Sequence, residues 1–169
     1  MLESLNCLRH LDQSMPNENL RIVKANARHS PLAAPLFDAY RQFYRIESDL
    51  KAARAFLKRR LKNRESVLFL AFSNGVGQGK PVGLVHLYPT FSSLTLRRQW
   101  ILSDLFVTPE ARHQGVGEAL MNHARLFAEG TKADALLLET ATDNFTAQKL
   151  YEKVGYKRDE VFYRYALTI

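Results

Sequence analysis

The apolar positions change period along the chain, and those changes mark its elements. Residues 1–19 are polar, contain Pro16 and keep no period, which predicts a weakly ordered extension ahead of a single domain over residues 20–169. Residues 21–25 read as a short strand. Ser30-Pro31 then offers a cap followed by proline at the first helical position, and Leu36, Ala39, Tyr40, Phe43 and Tyr44 recur at helical spacing. Residues 51–64, KAARAFLKRRLKNR, predict a second helix with Ala52, Ala55, Phe56 and Leu61 on its buried side and a basic face opposite. Three runs rich in β-branched and aromatic residues follow at 66–72, 82–88 and 100–107, the first two joined by a glycine-rich loop as in a hairpin. The pattern then alternates. A helix over 117–129 turns Val116, Leu120, Ala124 and Phe127 to one side, and a strand occupies 135–140. A helix over 145–153 carries Ala147, Leu150, Tyr151 and Val154, and a last strand is expected at 161–167. A meander followed by strand–helix–strand–helix–strand predicts an α/β domain with a mixed sheet and helices packed on it.

Composition narrows the class. In 169 residues there is one cysteine, Cys7, so an internal disulfide is excluded and a reducing compartment is expected. No run approaches the roughly eighteen consecutive apolar residues of a membrane span. The opening MLESLNCLRHLDQ contains Glu3 and Asp12 and has no continuous apolar stretch, so no secretory leader is expected and the expected location is cytoplasmic. A net charge of +7 favours anionic ligands, but no base-reading motif accompanies it, and a nucleic-acid partner is not expected. The histidines lack a zinc spacing such as H-E-x-x-H, so no metal is expected.

Two glycine-rich segments invite a phosphate-binding reading. Around Gly75, Gly77 and Gly79 the P-loop pattern fails twice, with Asn74 at the first glycine and Pro81 where a Ser or Thr would hold magnesium. Residues 105–120 are the better candidate: a strand ending Leu105-Phe106-Val107, a turn at Pro109, then Arg112-His113-Gln114-Gly115-Val116-Gly117-Glu118 opening a helix. Glycines let backbone amides approach a ligand, and a helix start adds unsatisfied donors and the positive end of a dipole. A dinucleotide fingerprint would need a third glycine where Leu120 stands, and the sheet does not begin with a parallel βαβ unit.

A second motif, Asn144-Phe145-Thr146-Ala147-Gln148-Lys149-Leu150-Tyr151-Glu152-Lys153-Val154-Gly155-Tyr156, follows about thirty residues later. The pair closely resembles the GNAT family of N-acetyltransferases over residues 20–169, the first segment matching its R/Q-x-x-G-x-G/A signature and the second its final helix. The stretches 87–93 and 100–107 look more like a branch with polyamine, histone and D-amino-acid acetyltransferases. The resemblance implies a mostly antiparallel central sheet flanked by helices, with strands splayed at an acetyl-CoA site, and direct transfer of an acetyl group to a primary amine of a small molecule or peptide. It implies that backbone groups of Leu105, Phe106 and Val107 line the acyl and pantetheine arm. The amides of His113, Gln114, Gly115, Val116, Gly117 and Glu118 would hold the pyrophosphate, with Arg112 adding charge. Asn144 and Ala147 would touch the cofactor, and Tyr151 takes the position of the catalytic tyrosine. Family members often pair through edge strands, so a homodimer is compatible with the resemblance.

The chemistry needs an acid for the departing sulfur and a base for the substrate ammonium. Tyr151 fits the first role, although its place on the apolar helix face also suits a core aromatic. For the second, similar polyamine acetyltransferases have an acidic residue where Ser103 stands here. Asp104 is adjacent, but strand alternation would turn it to the opposite side. Glu47 and Asp49 are alternatives for binding the amine. A different class of function, an acyl-CoA- or nucleic-acid-binding module of the same fold without catalysis, stays open on sequence alone.

Overall fold

The computed structural model describes residues 19–74, 77 and 79–169, so the expected extension lies outside the described residues except for Asn19, as do Gly75, Val76 and Gln78 of the hairpin loop. The described chain forms two compact units, residues 19–138 and Glu139–Ile169.

In the first unit the described strands build one sheet in the order β1-β2-β3-β4-β5. Strands β1 (Leu20–Lys24), β2 (Val67–Ser73), β3 (Pro81–Ser92) and β4 (Arg97–Val107) pair antiparallel in turn, and β5 (Ala135–Leu138) joins parallel to β4. The mixed, mostly antiparallel sheet and the β2–β3 hairpin match the expectation. The first seven residues of β3 are buried on both faces, which explains their near-continuous apolar run. On one side lie α1 (Ser30–Phe43) and α2 (Leu50–Lys62), where Leu36, Phe37, Ala53 and Leu57 close on Leu68, Leu70, Leu84 and Phe106. On the other lies α3 (Val116–Gly130), whose Phe127 ring packs 5.4 Å from Phe69 and 5.0 Å from Trp100. Leu57 is fully buried, a contribution of about 1.5–3 kcal/mol for such a side chain.

Three local expectations need correction. The cap of the first helical segment sits upstream of Ser30: Asn26 Oδ1 accepts the Arg28 amide at 2.9 Å, and His29 Nδ1 accepts the Asn26 amide at 3.0 Å. Ser30 is then inside α1 and buried. On α2 the buried stripe is Ala53 and Leu57, with Leu61 partly buried beside it, rather than the predicted Ala52, Ala55 and Phe56. Phe56 instead stacks on Phe37 at 5.7 Å with one face under the Arg60 guanidinium. Phe43 and Tyr44, at the end of α1, are likewise exposed rather than buried.

The second unit holds α4 (Phe145–Lys153), as predicted, but residues 157–169 form no strand. Val161, Phe162, Tyr163, Tyr165 and Leu167 are exposed. Alternating β-formers supply propensity, yet a strand needs a neighbour to complete its ladder. Here Asp159 Oδ1 accepts from the amides of Val161 at 2.8 Å and Phe162 at 3.0 Å, a side-chain turn that competes with strand entry. Arg164 pairs with Glu139.

One buried carboxylate ties the two front helices together. Asp38 on α1 receives Ser48 Oγ at 2.6 Å and, each at 3.0 Å, Arg41 Nη1, Gln42 Nε2 and the Asp49 amide. The Ser48 hydroxyl above all, joined by the Asp49 amide, Arg41 and Gln42 and opposed by burial, holds its carboxyl below the ordinary 3.8. A depressed folded value means that this stability is complete above the unfolded value and is lost as pH falls through the folded one. Asp38→Asn should therefore destabilise the fold by about 1–3 kcal/mol at pH 7. Denaturant titration should find the difference from the wild type shrinking below pH 4; equal loss at pH 7 and pH 3 would refute the charge-based account.

Candidate active site

The end of β4 is where the sheet opens. Parallel pairing with β5 runs from Gln99–Ala135 to Leu102–Leu138 and stops, while β4 continues to Val107. Along that continuation β4 stays paired with β3 on its other edge, through Asp104–His86 to Val107–Gly83. The edge of Leu105, Phe106 and Val107 that faced β5 further back is thus outside any described ladder. The Phe106 side chain belongs to the core under α1 and α2, so its backbone is what it offers to a ligand.

The chain then turns through Pro109–Ala111 into a loop that frames the start of α3. Two residues there are left-handed, His113 at φ 59° and Gly115 at φ 78°, flanking Gln114. Such a turn gathers successive amides towards one side and favours anions. Gly115 caps α3 with no side-chain hydrogen bond to the first turn, and a Cβ on it would meet no atom within 4 Å, so the amides of Val116 and Gly117 begin the helix beside open space. Gly83 sets the height of that turn: a Cβ there would lie 3.0 Å from Leu120 Cδ1 and 3.1 Å from the Phe106 carbonyl oxygen. Amides and a dipole end of this kind can hold an anion such as a diphosphate, with Glu118 the acidic residue of the first turn.

The side chains of the loop act partly on the loop itself. Arg112 Nε donates to the Val107 carbonyl at 3.1 Å with its guanidinium carbon 6.0 Å from the Phe106 ring centre, and Gln114 Nε2 donates to the Glu110 carbonyl at 2.7 Å. Val116 is buried against the sheet, and Glu118 is half-buried in the first turn.

Asp104 is re-aimed by a bulge. Pairing jumps from His86–Asp104 to Leu87–Leu102, leaving Ser103 without a partner on β3. The extra residue breaks the simple alternation assumed from sequence and carries Asp104 to the side of the sheet covered by α1. Its Oδ2 lies 2.9 Å from His86 Nδ1, and His86 Nε2 lies 2.7 Å from Ser66 Oγ. Phe37 on α1 meets the His86 ring edge-on at 6.1 Å, and Tyr40 donates to the Ser103 carbonyl at 3.2 Å. Burial, then the Asp104 charge, push the neighbouring Tyr88 phenol above its ordinary range, so it stays protonated. His86 and Ser66 were missed from sequence; the available signal was a lone histidine in the otherwise apolar run 82–88. Asp49, a candidate for amine binding, caps α2 through the Ala52 amide at 2.8 Å, whereas Glu47 is exposed.

In the second unit Asn144 caps α4 by accepting the Ala147 amide at 3.3 Å, an interaction that engages both residues within the helix start. Tyr151 is half-buried with its ring centre 6.1 Å from that of Tyr156.

The model of the acetyltransferase (GNAT) family matches residues 33–156. The uncharacterized N-acetyltransferase YhfO of Bacillus subtilis (strain 168) is 44% identical over 150 residues, covering 89% of this chain and 98% of the relative. A yeast relative from Saccharomyces cerevisiae, D-amino-acid N-acetyltransferase HPA3, is 34% identical over 95 residues, 56% of this chain and 58% of its own length. A crystal structure of a probable acetyltransferase superposes with a TM-score of 0.81 at 44% identity, over 88% of this chain and 97% of that one. With a family model spanning most of the sequence and a relative matched almost end to end, this chain belongs to the GNAT family and is an N-acetyltransferase.

Proposed function

We propose that the chain uses acetyl-CoA as its acyl donor and transfers the acetyl group directly to the primary amine of a small molecule or peptide. The observation that carries this reading is the open edge of β4 running into the uncapped, left-handed entry to α3. Acetyl-CoA supplies an activated thioester. Amides of residues 113–118 hold its diphosphate, and Arg112 adds positive charge while bracing the loop. Backbone groups of Leu105, Phe106 and Val107 run along the acyl and pantetheine arm, where an N–H can stabilise charge on the carbonyl oxygen. Asp104 accepts the proton of the substrate ammonium, and Tyr151 donates one to the departing sulfur. Asn144 and Ala147 complete the cofactor contacts in the family pattern.

The substrate class follows from the same reading, with the identity of the amine left to a screen of polyamines, amino acids of both hands and lysine peptides. A cytoplasmic location is consistent with the single cysteine, and among the described residues no helix is long and apolar enough to cross a membrane. Pairing of two copies through a sheet edge would use β1 or β5, the outer strands.

Two variants test the assignment. Gly115→Val forces a β-branched residue into a left-handed turn and should weaken acetyl-CoA binding about tenfold, or about 1.4 kcal/mol. Calorimetry on a folded variant with unchanged affinity would remove the diphosphate from this loop. Tyr151→Phe keeps the ring and deletes only the hydroxyl. Single-turnover acetyl transfer should slow roughly a hundredfold while acetyl-CoA affinity holds, since general acids typically contribute 10²–10⁴. An unchanged chemical step would make Tyr151 a packing residue.

A further inference from the structure

Ser66, His86 and Asp104 form a hydrogen-bonded chain across β3 and β4 from the entry to β2, and all three are at least nine-tenths buried. We infer that His86, fixed by Ser66, is a positioning residue that presents Asp104 Oδ1 to the substrate ammonium. The inference rests on the reading of Asp104 as the base.

The proton arrangement follows from the partners. A carboxylate only accepts, so in the neutral ring Nδ1 carries the proton and donates to Asp104 Oδ2 at 2.9 Å. Nε2 is then an acceptor and takes the Ser66 hydroxyl at 2.7 Å. The carboxylate thus selects the tautomer, and the Ser66 hydroxyl, donating to Nε2, fixes the ring that holds Oδ2. The other, Oδ1, lies 3.4 Å from Ser103 Oγ, the exposed bulge residue on the part of β4 that β5 does not cover. Phe37 and Tyr88, with ring centres 6.1 and 4.7 Å from that of His86, confine the imidazole from two directions. In the step itself an ammonium N–H bond breaks, the amine keeps the electron pair, and the proton bonds to Asp104 Oδ1. His86 keeps its Nδ1 proton and Ser66 its hydroxyl proton throughout. Oriented this way, the pair needs no rearrangement when the proton arrives.

The two amide replacements of histidine separate this role from simple packing. Asparagine places its donor near the Nδ1 position and can still reach Asp104; glutamine reaches towards Ser66 and loses Asp104. The assay is thiol release from acetyl-CoA with whichever amine of the screen the wild type turns over fastest, alongside thermal unfolding. His86→Gln should lower kcat roughly ten- to hundredfold, the scale of a misplaced catalytic group, with KM for the amine and acetyl-CoA affinity little changed. His86→Asn should recover most of that loss. Asp104→Asn should be impaired by itself, and adding His86→Gln to it should cost nothing further, because His86 acts through Asp104. If both histidine variants lose turnover in step with their loss of thermal stability, the chain is a structural pin and the inference fails. If Asp104→Asn is impaired while a folded His86→Gln variant is not, the inference fails and the base assignment stands. If Asp104→Asn turns over like the wild type, the base assignment fails too. Should His86→Gln not fold, Ser66→Ala preserves the ring and its packing: a several-fold fall in kcat at little-changed thermal stability supports the fixing of the His86 ring by Ser66, and unchanged kcat overturns it.

Discussion

A strand in the middle of a sheet must find partners for the backbone groups on both its edges, and β4 meets that demand beside β5 over only four of its eleven residues. The rest of the site follows from how this shortfall is managed. The bulge at Ser103 inserts one residue just beyond the last parallel pair, and bulges bend their strand and increase its twist. Beyond it β4 remains anchored to β3, so the strand is held in place while its other edge stays outside the ladder. That edge is a rigid row of donors and acceptors set at fixed spacing, which suits an extended amide-containing ligand better than a mobile loop would. The same strand end delivers the chain into the α3 entry, so the candidate diphosphate and acyl regions share one support.

The height of α3 over the sheet is the second constraint. A Cβ at Gly83 would meet Leu120 Cδ1 at 3.0 Å and Val116 Cγ1 and the Phe106 carbonyl oxygen at 3.1 Å, so those neighbours would have to give way by a few tenths of an ångström. Because Gly115 is left-handed and lies beside open space, the turn ahead of the helix is free to present amides. Tight packing below and open space above are thus two halves of one arrangement. On the opposite side, Asp38 performs a comparable task for α1 and α2 by gathering donors from the α1 end and the following loop onto one carboxylate.

Much of this was legible in the sequence because it depends on local chemistry. Proline, glycine and the switch from alternating to helical spacing located all four α-helices and the first five expected strands, and the bounds of α4 match residue for residue. The α3 entry was readable for the same reason: left-handed turns and helix starts have residue signatures. What escaped depends on partners distant in sequence. Strand alternation from Ser103 turned Asp104 to the opposite side of the sheet, but the bulge there breaks that alternation, and a bulge is set by register with β3, which a single strand does not encode. Ser66 and His86 are twenty residues apart, and nothing in either run announces their contact. The segment 161–167 has strand composition, but Asp159 turns the chain at its start, and composition does not supply a neighbouring strand.

Stability alone gives a poor reason for the Ser66–His86–Asp104 chain. A buried polar chain must recover the cost of removing each group from water, and well-packed apolar residues of similar size often serve a core as well or better. Around it the sheet is built of Leu68, Leu70, Leu84 and Leu87, all fully buried, so an apolar filling is chemically at hand. The chain does have the property that buried networks need in order to be tolerated, since each of its nitrogen atoms and the facing carboxylate oxygen has a partner. It also lies at the one step where β3 and β4 fall out of register, directly before the strand whose far edge is open. A polar network at an arbitrary place in a core is a cost; one at the bulge that opens the sheet can fix the direction of a carboxylate to within the tolerance that proton transfer requires. Location is therefore what favours the proposed positioning role over a merely tolerated one. On the proposed reading of Asp104 as the base, the bulge lets the carboxylate sit one residue after Ser103, held from beneath by His86.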